Sequence, residues 1–69
     1  MQTKLIALRK ERGVTQREIA QMIKVSIKTY SKKELGKSEF TMNEMFEISN
    51  YFKLTIEDIF LPSNTPKWS

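Results

Sequence analysis

The stretch TQREIAQMIKVSIKTYSKKELGK, residues 15–37, predicts two short helices joined by a tight turn. Thr15 and Glu18 have the spacing of a capping box, in which each side chain hydrogen-bonds to the backbone amide of the other residue at the start of a helix. The apolar residues that follow lie on one face of that helix: Ile19, Ala20 and Ile23. The spacing therefore predicts a helix over about residues 16–23 that packs through a single apolar face.

The second helix of the stretch is predicted to begin after Ser26, a favoured N-cap residue, and to end at Gly36, which suits the left-handed conformation found after helices. Only Lys24 and Val25 separate it from the first helix. Two helices joined by so short a turn form a helix-turn-helix, which presents its second helix outward. Lys24 lies where such a turn favours glycine, because a left-handed backbone costs other residues about 1 kcal/mol.

The outward face of this second helix is predicted to be basic. On a helical wheel with Tyr30 at zero, Glu34 falls at about 40°, so both side chains face inward. Ser31, Lys28 and Lys32 fall at about 100°, 160° and 200° and form one contiguous outer arc. A convex basic face of this kind fits the major groove of B-DNA, where the base edges can be distinguished. The stretch therefore favours a DNA-binding surface over the alternative, an ordinary solvated helix on which Lys28 and Lys32 contact only water.

Three more helices are predicted outside this stretch. One covers about residues 2–12, one begins at a second capping box formed by Thr41 and Glu44, and one begins at Thr55 and ends before Pro62. Five helices without a convincing strand predict an all-α fold.

The length of 69 residues leaves room for a single domain. We predict that a compact five-helix domain occupies residues 1–61 and that a short, flexible tail follows at residues 62–69. The chain contains no cysteine and no histidine, which removes disulfides, the usual zinc ligands and the commonest catalytic groups. The composition therefore predicts no metal, no cofactor and no enzymatic activity.

Charge is distributed unevenly along the chain. Residues 1–37 hold ten Lys or Arg against three Glu, a net charge of +7, whereas residues 38–69 hold two Lys against five acidic residues, a net charge of −3; together they give the total of +4. A basic half favours a polyanionic partner, nucleic acid before a membrane surface. The longest apolar run near the N-terminus, residues 5–8, is too short for a signal peptide or a membrane span, so we expect a cytoplasmic protein.

The stretch at residues 15–37 resembles the helix-turn-helix of the phage Cro and phage repressor type, the XRE family. The similarity continues through TMNEMFEISNYFKLTIEDIF, residues 41–60, and covers roughly residues 4–60 without a gap. The resemblance implies a five-helix, lambda-repressor-like DNA-binding domain whose second and third helices form the helix-turn-helix. It also implies a homodimer that binds an inverted-repeat operator in double-stranded DNA.

The resemblance and the outer arc together predict roles for individual residues. The predicted base-reading residues are Ile27, Lys28, Ser31 and Lys32. The predicted phosphate-contacting residues are Gln16, Arg17, Ser26, Gly36 and Lys37. For Gln16, Gly36 and Lys37 the resemblance implies this role. Lysine suits guanine or a phosphate, and isoleucine suits a thymine methyl group. Arg9 and Glu34 occupy positions that form an internal ion pair in some members of the family.

Several of these assignments leave an alternative open. Gln16 suits the first position of a helix whether or not it contacts DNA, and Ile27 either contacts a base or packs inward. Three basic residues either add phosphate contacts or only raise solubility: Arg17, Lys24 and Lys33. The sequence departs from the family at three positions. Lys24 stands where the family usually has glycine, Lys33 where it often has an aromatic or aliphatic residue, and Glu39 where many members have proline. Lys24 is either a strained left-handed residue or a sign that the turn itself departs from the family.

The predicted function is sequence-specific regulation of transcription by a small phage, prophage or plasmid repressor that occupies its operator. An antitoxin-like protein-interaction module and a restriction–modification controller on the same fold are the alternatives. No membrane partner and no small-molecule effector is predicted, and the expected location is the bacterial cytoplasm, on the nucleoid when DNA is bound. The dimer surface is predicted among five apolar residues of the second half: Tyr51, Phe52, Phe60, Leu61 and Trp68. Of these, Phe52 is expected in the core.

Overall fold

A computed structural model describes residues 1–60, which form five α-helices. They are α1 (Thr3–Glu11), α2 (Gln16–Met22), α3 (Ile27–Leu35), α4 (Met42–Phe52) and α5 (Ile56–Ile59). No strand occurs within these 60 residues. The predicted all-α fold is confirmed, and every helix lies where it was expected to within a few residues. The predicted tail, together with Leu61 and Trp68, lies outside the described residues.

The starts of four helices are fixed by the hydroxyl side chains that the sequence predicts as N-caps. Each hydroxyl oxygen accepts a hydrogen bond of 3.1 Å from the backbone amide three residues further on: Thr15, Ser26, Thr41 and Thr55. Both predicted capping boxes are closed, because the side chains of Glu18 and Glu44 accept in return from the cap amides. Local side-chain chemistry therefore decides where these helices begin.

The core lies where all five helices converge. Its largest fully buried side chains are Tyr30, Leu5, Ile19, Ile48 and Ile59. Phe40, from the loop before α4, packs edge-on against Tyr30 and Phe60, with ring centroids 5.9 and 5.1 Å apart. Phe52 is buried, as predicted, but the prediction of Phe60 at a dimer surface is wrong, because Phe60 is buried against Phe40. Tyr51 is exposed and stays a candidate for that surface.

The turn between α2 and α3 places Lys24 in the left-handed conformation, with φ of 64°. The amide of Lys24 donates to the carbonyl of Gln21, and the amide of Val25 donates to the carbonyl of Ala20. These two bonds form a Schellman motif, the usual end of a helix before glycine. Lys24 is therefore a left-handed, strained residue in a turn with the ordinary Schellman hydrogen bonds.

Replacing Lys24 with glycine is expected to stabilise the fold by about 0.5–1 kcal/mol. Glycine removes the left-handed penalty of about 1–2 kcal/mol but loses more backbone entropy on folding. Thermal unfolding should therefore show a midpoint higher by about 3–6 °C. Lys10→Gly, which places a glycine within α1, is the matched control. It should reduce stability by about 1 kcal/mol and so lower the midpoint instead. A Lys24→Gly midpoint at or below that of the wild type would contradict this account.

Candidate nucleic-acid interface

α3 is held with one face in the core and the opposite face in solvent. Its extensive contacts with α2 and the burial of Tyr30 and Glu34 fix the inward face. Lys28 and Lys32 are exposed on the opposite side, one helical turn apart. The inward and outward sides predicted by the helical wheel are therefore those seen in the structure.

The remaining predicted base-reading residues flank this pair of lysines. Ile27 is 37% exposed and lies at the edge of the outward face rather than inside the core. Ser31 is half-buried at the same edge. Leu35 was not predicted to belong to this surface, yet it is exposed, and its position at about 140° lies between Ser31 and Lys28. The same wheel that selected the lysines would have selected Leu35, had apolar residues been included.

The predicted phosphate-contacting residues lie at the two ends of α3 and at the start of α2. Arg17, Ser26, Gly36 and Lys37 are exposed, and Gln16 is half-buried. The Ser26 hydroxyl caps α3 and also donates to the Thr29 hydroxyl oxygen, 3.0 Å away. Ser26, Gly36 and Lys37 thus lie at the ends of α3 and Gln16 and Arg17 at the start of α2, and their contact with phosphate stays a prediction.

Gly36 ends α3 in the left-handed conformation, with φ of 89°. A Cβ atom at this position would lie 3.1 Å from the backbone nitrogen of Met1, so a side chain here would strain the backbone and also crowd Met1. The amides of Gly36 and Lys37 donate to the carbonyls of Lys33 and Lys32, at 3.2 and 2.9 Å. These amides already cap α3, whereas the exposed side chain of Lys37 ends in an ammonium group that could bind a phosphate.

A single carboxylate, that of Glu34, connects α1, α2 and α3. Its Oε2 atom accepts from the Tyr30 hydroxyl at 2.6 Å and from Arg9 Nε at 2.9 Å. Its Oε1 atom accepts from Gln16 Nε2 at 2.8 Å and from Arg9 Nη2 at 3.3 Å. Arg9 Nη1 donates to the carbonyl of Val14 at 3.1 Å. The Arg9–Glu34 pair is largely buried, with 12% and 4% of the two side chains exposed, so it differs from the weak surface pairs of proteins.

This network also fixes the charge of its members. Burial alone would raise the pKa of the Glu34 carboxyl, but the hydrogen bonds from Arg9, Tyr30 and Gln16 hold that pKa below its ordinary value. Burial, together with the bond to Glu34, raises the pKa of Tyr30. The carboxylate thus stays charged and the phenol neutral at physiological pH. Only one of the two N–H groups of the Gln16 amide is used here, so its contact with a phosphate also stays a prediction.

Lys33 has neither of the two roles predicted for it, which were contact with a phosphate and an increase in solubility. Its side chain is 10% exposed, and its ammonium group donates to Glu44 Oε1 at 2.8 Å and to the carbonyl of Glu39 at 3.1 Å. The reason is its position at about 300° on the helical wheel, on the inward side of α3. A buried ammonium group needs polar partners, and α4 and its preceding loop supply them.

Within residues 1–60, no group of three or more acidic side chains is placed to hold a metal ion. Over the same range, no helix is long and apolar enough to cross a membrane.

Residues 5–59 of the chain match the helix-turn-helix family. The chain belongs to that family. The resemblance to the XRE family of helix-turn-helix proteins is thereby confirmed.

The fold is also similar to that of a solved structure, the crystal structure of a transcriptional regulator from Listeria innocua. The TM-score is 0.78 at 21% sequence identity, and the match covers 96% of this chain but 65% of the Listeria chain. At this identity the likeness shows a common fold. No curated protein matches the sequence of this helix-turn-helix chain.

Proposed function

We propose that this protein is a sequence-specific, non-enzymatic DNA-binding regulator of transcription that inserts α3 into the major groove. The observation that carries the proposal is the exposed pair Lys28 and Lys32, displayed on a helix whose opposite face is locked into the core. A rigidly held convex basic face is what direct reading of base edges requires.

The proposal divides the interface into two kinds of contact. Arg17 and Lys37 neutralise phosphates at either side of α3 and supply affinity that depends on salt but not on sequence. Lys28, Lys32 and Ile27 face the bases and supply sequence discrimination. The net charge of +7 in residues 1–37, which include α1 to α3, supports this division.

We further propose that the protein binds as a homodimer to an inverted repeat. α3 has nine residues and is about 13 Å long, so a single copy reads only a few base pairs. Two copies related by a two-fold axis would read half-sites about 34 Å apart on one side of the duplex. Occupation of such an operator by a phage, prophage or plasmid repressor would block access of RNA polymerase to the promoter.

In-vitro selection from random duplex DNA, followed by footprinting, tests the proposal. We expect an enriched inverted repeat and a protected region spanning two half-sites. Affinity for the selected duplex should fall as salt rises, with a log–log slope of about −0.9 for each phosphate neutralised. A folded protein that enriches no sequence over the starting pool would contradict sequence-specific binding, and an enriched single half-site would contradict the dimer.

A further inference from the structure

Lys33 joins the end of α3 to the start of α4 across the loop of residues 36–41. Its ammonium group contacts the carboxylate of Glu44 in the first turn of α4 and the carbonyl of Glu39 within the loop. The same group lies 5.8 Å from the centre of the Phe40 ring. One buried cation therefore holds three consecutive parts of the chain, the helix end, the loop and the next helix.

The loop that Lys33 holds is the one that carries Lys37. On its N-terminal side, the amides of Lys37 and Ser38 both donate to the carbonyl of Lys32, at 2.9 and 3.2 Å. On its C-terminal side, Lys33 binds the carbonyl of Glu39, two residues after Lys37. Lys37 is thus held from both sides, and its C-terminal anchor is a side chain rather than a helix hydrogen bond.

The partner of Lys33, the Glu44 carboxyl group, is charged and depends on Lys33 for a counter-charge. Burial alone would raise the pKa of the Glu44 carboxyl, but the hydrogen bonds from Lys33 and from the Thr41 amide hold it below its ordinary value. Glu44 is therefore ionised, with 13% of its side chain exposed, next to a loop that is to approach a polyanion. Lys33 cancels this charge at a distance of 2.8 Å.

We propose that Lys33 is a positioning residue for DNA binding. Without touching DNA, it fixes the loop of residues 36–41 so that Lys37 reaches a phosphate, and it neutralises Glu44 beside that contact. The inference rests on the proposed function and adds to it a buried residue that acts through the loop. Lys33 thereby differs from Lys28, Lys32 and Lys37, whose ammonium groups are exposed.

A double-mutant cycle between Lys33→Met and Lys37→Ala tests the proposal, with affinity for the selected duplex measured over a range of salt concentrations. Lys37→Ala should weaken binding about three- to tenfold and reduce the salt slope by about one. Lys33→Met should produce a similar loss and a similar change of slope, although Lys33 does not contact DNA. The double variant should bind no more weakly than the weaker single variant, because both changes remove the same contact.

Two controls separate positioning from loss of charge or of fold. Lys10→Met removes an exposed positive charge from α1, and its effect should multiply with that of Lys37→Ala. The double variant Lys33→Met/Glu44→Gln leaves no unpaired buried carboxylate, and the glutamine side chain can still complete the capping box with Thr41. We therefore expect this double variant to fold even if Lys33→Met alone does not. It should show the same non-multiplicative behaviour with Lys37→Ala.

An unchanged salt slope in the Lys33 variants, or losses that multiply with Lys37→Ala, would overturn the role of Lys33 while leaving DNA binding intact. A wild-type protein with no preference for any duplex would overturn the proposed function and this inference together. The two failures are therefore distinguishable in one set of titrations.

Discussion

A Glu34→Ala variant is expected to lose about 3–5 kcal/mol of folding free energy. The substitution leaves the buried Arg9 guanidinium without its counter-charge and removes the acceptor of the Tyr30 hydroxyl and the Gln16 amide. A domain of this length has a total stability of about 3–10 kcal/mol, so the loss lies between about a third and all of it. Urea unfolding followed by circular dichroism measures the difference.

Glu39→Ala, at an exposed glutamate, is the matched control and should change stability by less than about 0.5 kcal/mol. The pH dependence gives a second readout. Because the pKa of Glu34 is lowered in the folded protein, its contribution is present above the unfolded-state pKa near 4.5 and is lost as pH falls through the folded pKa. Glu34→Gln should therefore reduce the loss of stability at acid pH and leave the part that comes from Glu44, whose pKa is also lowered. An Ala variant as stable as the control would mean that the network contributes nothing.

The helices and their ends could be predicted because the signals that decide them are local. Thr15 and Glu18 are three residues apart, and so are Thr41 and Glu44, so the partners of each capping box can be read from neighbouring letters. The left-handed residue at Lys24 belongs to the same class, since a two-residue turn between helices dictates the backbone whatever side chain is present. The inward and outward sides of α3 follow from helical periodicity alone.

The polar contacts that hold the site could not be predicted in the same way, because their partners are brought together by packing. Lys33 looks like one more member of a basic run until α4 places Glu44, eleven residues later, against it. Gln16 reads as an ordinary first helical residue, yet its amide reaches Glu34 eighteen residues away. Phe60 was assigned to a surface because nothing near it in sequence indicates Phe40 as its partner. Each of these contacts joins two elements of the fold, and helical periodicity does not specify such contacts.

The Lys28→Ala/Lys32→Ala variant is expected to lose the preference for its operator while keeping its fold. Both side chains are exposed, so their removal should leave stability nearly unchanged. A specific lysine contact to a base contributes about 1–3 kcal/mol of discrimination, so losing two should lower the ratio of specific to non-specific affinity by at least about thirtyfold. The measurement is the ratio of dissociation constants for the selected duplex and a scrambled duplex at one salt concentration.

The ratio, rather than affinity alone, decides what these lysines do, because any two lost positive charges weaken binding to DNA. Lys10→Ala/Lys53→Ala removes the same charge from exposed positions outside α3 and is the matched control. It should lower affinity for both duplexes by about the same factor and leave their ratio unchanged. If the α3 variant behaves like this control, Lys28 and Lys32 contact only phosphates, and sequence would have to be read by Ile27, Ser31 or Leu35 along the other side of the outward arc.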